Sequence, residues 1–192
     1  MTDYKSGFVA VVGKPNVGKS TLINTLLGQK IAAVSPRPQT TRLRQLGILS
    51  RPDAQIIFVD TPGLHAPRHK LGEFMNQIAA HALADADAIL FLADLSGPPD
   101  ADDERLAGLI QRNNASPRAF LLLNKVDLFP GPGMGMPGLP AAAPAPALAA
   151  RVAEYTALLP EAAPLTLSAL RGDGCAELLA AVLAALPVGP RY

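Results

Sequence analysis

The chain has 192 residues, of which 49% are hydrophobic, 17% charged and 5% aromatic, with 17 Lys+Arg against 16 Asp+Glu. That size and mix describe one globular domain of ordinary dimensions, and a formal net charge of +1 excludes a whole-surface electrostatic grip on nucleic acid or anionic lipid. A lone cysteine, Cys175, excludes an internal disulfide framework or a cysteine-based zinc cluster and favours a reducing compartment.

The elements follow in chain order. An apolar run at 8–12 predicts a short buried strand; Gly13 and Lys14 cut it too short for a signal-peptide core. Residues 19–27 predict a helix with Leu22, Ile23, Leu26 and Leu27 inward. Strands are predicted at 43–49 and 54–59, and the turn-rich Ser50-Arg51-Pro52-Asp53 between them suits an antiparallel hairpin. Short apolar strands at 88–93, 119–123 and 165–167 then alternate with helices at 102–111, 148–159 and 176–186. Asp102, Asp103 and Glu104 suit the first turn of their helix, where acids complement its dipole. Residues 130–146 form a Pro/Gly/Ala-rich stretch that cannot build a core or a spanning helix and reads as a surface insertion. The chain is expected to be cytoplasmic, with membrane association at most peripheral.

Gly13-Lys14-Pro15-Asn16-Val17-Gly18-Lys19-Ser20 fits G-x-x-x-x-G-K-[ST] and stands between a predicted strand and a predicted helix, the context the motif needs. There the backbone N–H groups of the loop and helix start, from Gly13 through Thr21, face phosphates. Lys19 reaches the β- and γ-phosphates and the Ser20 hydroxyl ligates Mg²⁺. Asp60 leaves the carboxyl end of the strand at 54–59 and suits a carboxylate holding Mg²⁺ through water. Gly63, three residues on, has a free N–H and no side chain to obstruct a γ-phosphate. The polar, proline-broken segment 31–42 reads as a switch loop in which Thr41, with Thr40 as the close alternative, places its hydroxyl on Mg²⁺ and its N–H on the γ-phosphate. With the alternating elements, this predicts a P-loop NTPase fold of three layers, αβα. Its six-stranded sheet is mostly parallel with one antiparallel strand.

Asn124-Lys125-Val126-Asp127 directly follows the strand at 119–123. The Asp127 carboxylate can accept the adjacent N1–H and N2–H₂ of guanine together, whereas adenine would leave its charge unpaired. The N-K-x-D arrangement resembles the guanine-specificity motif of P-loop GTPases, which implies that Lys125 lies along the base plane. Ser168-Ala169-Leu170 follows the last predicted strand.

Taken together, G-K-P-N-V-G-K-S-T-L, P-Q-T-T-R, D-T-P-G-L-H, N-K-V-D and S-A-L resemble the Era family of bacterial GTPases over nearly all of the chain. The resemblance implies a GTP-hydrolysing switch, with GTP/GDP as ligands and a role in 16S rRNA processing and 30S subunit assembly. It also implies an O6 contact for Ala169. Residues 1–187 correspond to the family's GTPase domain and 188–192 to the start of its interdomain linker. The family's RNA-holding KH domain does not follow within these residues, so rRNA binding is implied for the full-length family rather than for this segment alone. Leu64 stands where many small GTPases carry a water-orienting glutamine. Slow intrinsic turnover is therefore expected, with the Asn16 side chain helping to hold K⁺ near the phosphates in place of an arginine finger. The alternative is a nucleotide-controlled binding module that holds GTP or GDP without appreciable hydrolysis. His65 and His69 lack further ligands for a metal site, and Lys30, Arg37, Arg42 and Arg44 read as a solvated basic loop face.

Overall fold

The computed structural model describes residues 4–30, 45–61, 83–112, 118–129, 145–162 and 164–192. Within them run the strands β1 (Lys5–Val12), β2 (Gln45–Ser50), β3 (Ala54–Asp60), β4 (Ala88–Asp94), β5 (Arg118–Asn124) and β6 (Pro164–Thr166). The helices are α1 (Lys19–Leu27), α2 (Ala101–Arg112), α3 (Ala145–Leu158) and α4 (Cys175–Ala185), with one 3₁₀ turn at Val126–Leu128.

The strands form one sheet in the order β2-β3-β1-β4-β5-β6. Every neighbouring pair is parallel except β2 and β3, whose antiparallel register matches Leu46 with Val59 and Ile48 with Ile57. The predicted hairpin is present, and its turn is closed by the Arg51 N–H donating to the Ala54 carbonyl at 2.8 Å. Strands covered on both faces need apolar residues at consecutive positions. All seven residues of β3 are buried, as are the first six of β4.

Alternation along β1 divides two cores. Ala10 and Val12 face one side, joined by Phe91, Leu106, Ile110, Tyr155 and Leu159 from β4, α2, α3 and the turn after α3. Val9 and Val11 face the other, with Phe58, Leu22, Ile23, Leu178 and Val182 from β3, α1 and α4. At roughly 1.5–3 kcal/mol for each large apolar side chain buried, these two layers fix the helices on opposite faces. The three-layer αβα arrangement with one antiparallel edge strand is the predicted one.

Several boundaries differ from the sequence reading. β1 begins at Lys5, three residues before its apolar run, because its polar residues find partners that no periodicity shows. Lys5 Nζ donates to the Leu183 and Ala184 carbonyls at the end of α4, at 2.9 and 3.0 Å, and Ser6 Oγ donates to the Pro190 carbonyl at 2.7 Å. Residues 187–192 pack along this end of β1: Val188 bridges Lys5 and the Tyr192 ring meets Phe8 edge-on at 5.2 Å. The last strand lies one residue earlier than predicted, and residues 145–146 of the low-complexity stretch are the first two of α3. No helix among the described residues is long and apolar enough to cross a membrane.

Candidate functional site

The parallel strands deliver their carboxyl ends to one edge of the sheet, and β1 lies between β3 and β4, where connections leave toward opposite faces. Ligand crevices of open α/β sheets form at such a point. The loop from Gly13 to Gly18 starts there and runs directly into α1.

Two features make this loop possible only with its own residues. A Cβ on Gly13 would lie 2.4 Å from the Leu92 carbonyl oxygen. Gly18 has φ 106° and caps α1, and a Cβ on it would lie 2.4 Å from Asn124 Nδ2. Asn16, exposed at the loop's crest, is left-handed with φ 63°, a conformation asparagine tolerates. Pro15 is half-buried and Val17 is buried beneath them. The Leu22 N–H donates to the Gly18 carbonyl at 2.8 Å. The preceding N–H groups, those of Lys19, Ser20 and Thr21, belong to the first turn of the helix, where donors point outward.

Lys19 folds back over the loop. Its Nζ donates to the Gly13 carbonyl at 3.0 Å and the Lys14 carbonyl at 2.8 Å. Burial lowers its pKa to about 8, opposed by the nearby Asp60 charge, so the ammonium is poorly hydrated and strongly attracted to an anion. Asp60, buried at the end of β3, accepts the Ser20 hydroxyl at 2.8 Å. Next to it, Thr61 Oγ1 donates to the Val11 carbonyl at 2.7 Å and ties the end of β3 to β1. Ser20 and Asp60 bring two hard oxygen donors within reach of one small cation, which fits Mg²⁺ and not a soft metal.

The second half of the site is organised by Asn124, at the end of β5. Its Nδ2 donates to the Val17 carbonyl at 2.7 Å, and its Oδ1 accepts the Ala169 N–H at 2.9 Å. The Ala169 carbonyl accepts the Thr25 hydroxyl at 2.6 Å. Buried Ser168 accepts the Arg171 N–H through its hydroxyl, whereas Leu170 is 78% exposed. Lys125 adopts a left-handed conformation, φ 69°, and opens the 3₁₀ turn that carries Asp127, half-buried. The phosphate loop, Asp60, Asn124, Lys125, Asp127 and the 168–170 turn thus meet at one edge of the sheet. Thr40, Thr41, Gly63, Leu64, His65, His69 and residues 130–144 lie outside the described residues.

Sequence reading missed two acids here. Asp94, at the end of β4, binds Lys125 Nζ at 2.5 Å and accepts the Ser96 N–H and hydroxyl at 2.9 and 2.6 Å. Burial works to raise its pKa, but these hydrogen bonds and the Lys125 charge outweigh it and hold the carboxyl below the ordinary value. The buried Tyr155 hydroxyl pins the same turn by donating to the Asp94 carbonyl at 3.0 Å. The signal was available, since Asp94 ends an apolar strand just as Asp60 does. Asp103 stands in the first turn of α2, as read for an acid that complements the helix dipole, and is in addition wholly buried against Lys14, which the sequence reading did not anticipate. Its place in the series Asp103, Leu106, Ala107, Ile110 puts it on the buried stripe of α2. Among the described residues no group of three or more His, Cys, Asp or Glu side chains forms a metal cluster.

Comparison with known proteins agrees with this geometry. Residues 8–125 match the family model described as "50S ribosome-binding GTPase". An Era structure in complex with MgGDPNP and nucleotides 1506–1542 of 16S ribosomal RNA is 38% identical, with a TM-score of 0.84, over 98% of this chain and 59% of that one. An Aquifex aeolicus Era variant bound to GDP·AlF₄⁻ is likewise 38% identical, with a TM-score of 0.82, over 97% of this chain and 58% of that one. The G domain of FeoB from Methanococcus jannaschii shares the fold at 22% identity and a TM-score of 0.62, covering 94% of this chain and 97% of its own. The chain thus spans somewhat under two thirds of the Era chains it matches. It belongs to the P-loop GTPase family, and throughout its length it is similar to the GTPase domain of Era.

Proposed function

We propose that this chain is the GTP-binding and GTP-hydrolysing switch domain of an Era-type protein. The observation that carries the reading is the Asn124 side chain. It bonds at once to the Val17 carbonyl of the phosphate loop and to the Ala169 N–H of the base-side turn, so phosphate and base recognition share one rigid frame.

In this reading the N–H groups of the loop and helix start from Gly13 to Thr21, all but that of Pro15, which has none, bind the phosphates, and Lys19 neutralises the β- and γ-oxygens. Ser20 and Asp60, the latter through water, hold Mg²⁺, and Thr41 and Gly63 complete the γ-phosphate side. Bound there, Mg²⁺ neutralises charge that builds on the phosphate oxygens. Asp127 accepts the guanine N1–H and N2–H₂, Lys125 lies along the ring, and Ala169 offers its N–H to O6, turning it away from Asn124 Oδ1 or sharing it. Ser168 and Leu170 shape that turn. Asn16 helps hold K⁺ beside the phosphates, and with Leu64 in place of a glutamine, hydrolysis is slow. By its similarity to Era, the RNA partner is 16S rRNA within the 30S subunit, in the cytoplasm.

Single-turnover hydrolysis of GTP by residues 1–192 with Mg²⁺, run in parallel in potassium and sodium buffers, tests this. Release of phosphate, faster in potassium, is the expected result. Tight GTP binding without release in either buffer would mark a binding module instead, and failure to bind guanine nucleotides would overturn the reading.

A further inference from the structure

Lys14 occupies a variable position of the phosphate-loop pattern, where neither the motif nor the proposed chemistry asks for a charge. Its ammonium is nevertheless held from two sides, at 2.8 Å by Asp100 Oδ2 and at 2.7 Å by Asp103 Oδ2. The two acids come from the start of α2, 86 residues or more along the chain from Lys14.

These acids are themselves fixed by a reciprocal cap. Asp100 Oδ1 accepts the N–H groups of Asp102 and Asp103 at 3.0 and 3.2 Å, while Asp103 Oδ2 accepts the Asp100 N–H at 3.1 Å. Such a capping box satisfies the first donors of a helix and holds both carboxylates in one orientation. The Asp103 side chain is 0% exposed and Lys14 supplies its ion pair, so removing that cation would leave a buried charge uncompensated. The Lys14 carbonyl in turn accepts Lys19 Nζ at 2.8 Å. A continuous path therefore runs from the cap of α2, through the Lys14 side chain and its own peptide, to the ammonium that faces the phosphates.

We infer that Asp103, assisted by Asp100, is a positioning residue for the phosphate loop. By gripping Lys14 it sets the peptide whose carbonyl aims Lys19, and α2 thereby becomes part of the nucleotide site without touching nucleotide. The inference rests on the proposed GTP-binding role of that loop.

The test measures the affinity of the 192-residue chain for fluorescent GDP and GTP in K14Q, D103N, D100N, K14R and the double variant K14Q/D103N, each well below its own melting temperature. K14Q and D103N are expected to weaken both nucleotides by roughly 10- to 100-fold, up to the scale of a misplacement of about 1 Å. D100N, which retains its cap through the amide oxygen, weakens them less. The double variant is no weaker than the worse single one, because both break the same link, and K14R restores most of the affinity. If K14Q, which leaves the buried Asp103 charge uncompensated, does not fold, D103N, D100N and K14Q/D103N, the last removing the buried charge and its partner together, carry the comparison. Unchanged affinity in folded variants, losses that add in the double variant, or no rescue by K14R would overturn the tether. Absence of nucleotide binding by the unsubstituted chain would instead overturn the GTPase reading on which it rests.

Discussion

Asn124 Oδ1 accepts the Ala169 N–H at 2.9 Å, so the peptide assigned to guanine O6 is bonded to the first residue of the N-K-x-D motif. Asn124 is 3% exposed and its Nδ2 serves Val17 at the same time. Asn124→Ala therefore strands a buried carbonyl and a buried N–H. Together these cost roughly 2–3 kcal/mol, which for a chain of this length lowers the melting temperature by about 4–12 °C. Thermal denaturation checks this, and a shift under about 2 °C would mean the frame is held elsewhere.

In the proposed base site, Asp127→Asn replaces an acceptor of two N–H groups with an amide that opposes one of them. Preference should move from guanine to xanthine. The change in the GTP-to-XTP affinity ratio is on the order of 10²–10⁴, corresponding to two hydrogen bonds to a charged group. Competition binding measures it, and retained guanine preference would count against the base assignment.

Gly18→Ala adds a Cβ at φ 106° and 2.4 Å from Asn124 Nδ2. Backbone strain and displacement of Asn124 act together, so the expected destabilisation is roughly 2–4 kcal/mol, with loss of nucleotide binding. Gly28→Ala is the control: its φ of 65° is also left-handed, yet nothing lies within 4 Å of the added Cβ. It should cost only about 1–2 kcal/mol and spare binding. Equal losses of nucleotide affinity in both variants would show that crowding of Asn124 is not the cause.

Asp94 gives the acid limb a defined sign. Its folded-state carboxyl is held below the ordinary 3.8. The proton therefore binds the unfolded chain more readily, and the contribution to stability is fully present above that value and lost as pH falls through the lowered one. With Lys125 33% exposed, solvent screening limits the contribution to about 1 kcal/mol. Melting curves of Asp94→Asn and the unsubstituted chain should differ at neutral pH and start to converge only as pH falls below the ordinary 3.8. A gap that persists undiminished at lower pH would assign the effect to something other than this ion pair.

In the proposed potassium role, Asn16→Ala should abolish any advantage of potassium over sodium in single-turnover hydrolysis, read as the ratio of the two rates within the variant so that the strain of alanine at φ 63° cancels. Potassium stimulation that survives the substitution would remove Asn16 from that role.

Much of this protein was legible along the chain because local spacing dictates local backbone. Short continuous apolar runs of strand length bounded by turn residues fit strands covered on both faces, so β3 and β4 were readable within a residue at each end. The phosphate loop, Asp60 and Asn124-Lys125-Val126-Asp127 each stand directly after such a strand, so placing the strands placed the candidate site at their carboxyl ends. Partners separated by long stretches of sequence were not legible in this way. Lys5 was outside any apolar pattern until α4 presented its last carbonyls. Asp103 satisfied a helix-dipole reading as well as any surface acid would, and only the approach of the start of α2 to the phosphate loop showed that it is buried on Lys14. Asn124 reaches Val17 across 107 positions and Ala169 across 45. The sequence by itself determined which residue types stand at strand ends and helix starts, since steric and hydrogen-bond rules act over a few neighbouring residues. Only the tertiary structure decided which of those groups neutralise and satisfy one another, because burial removes water as the competing partner and leaves each charge to the neighbour that the sheet order brings to it.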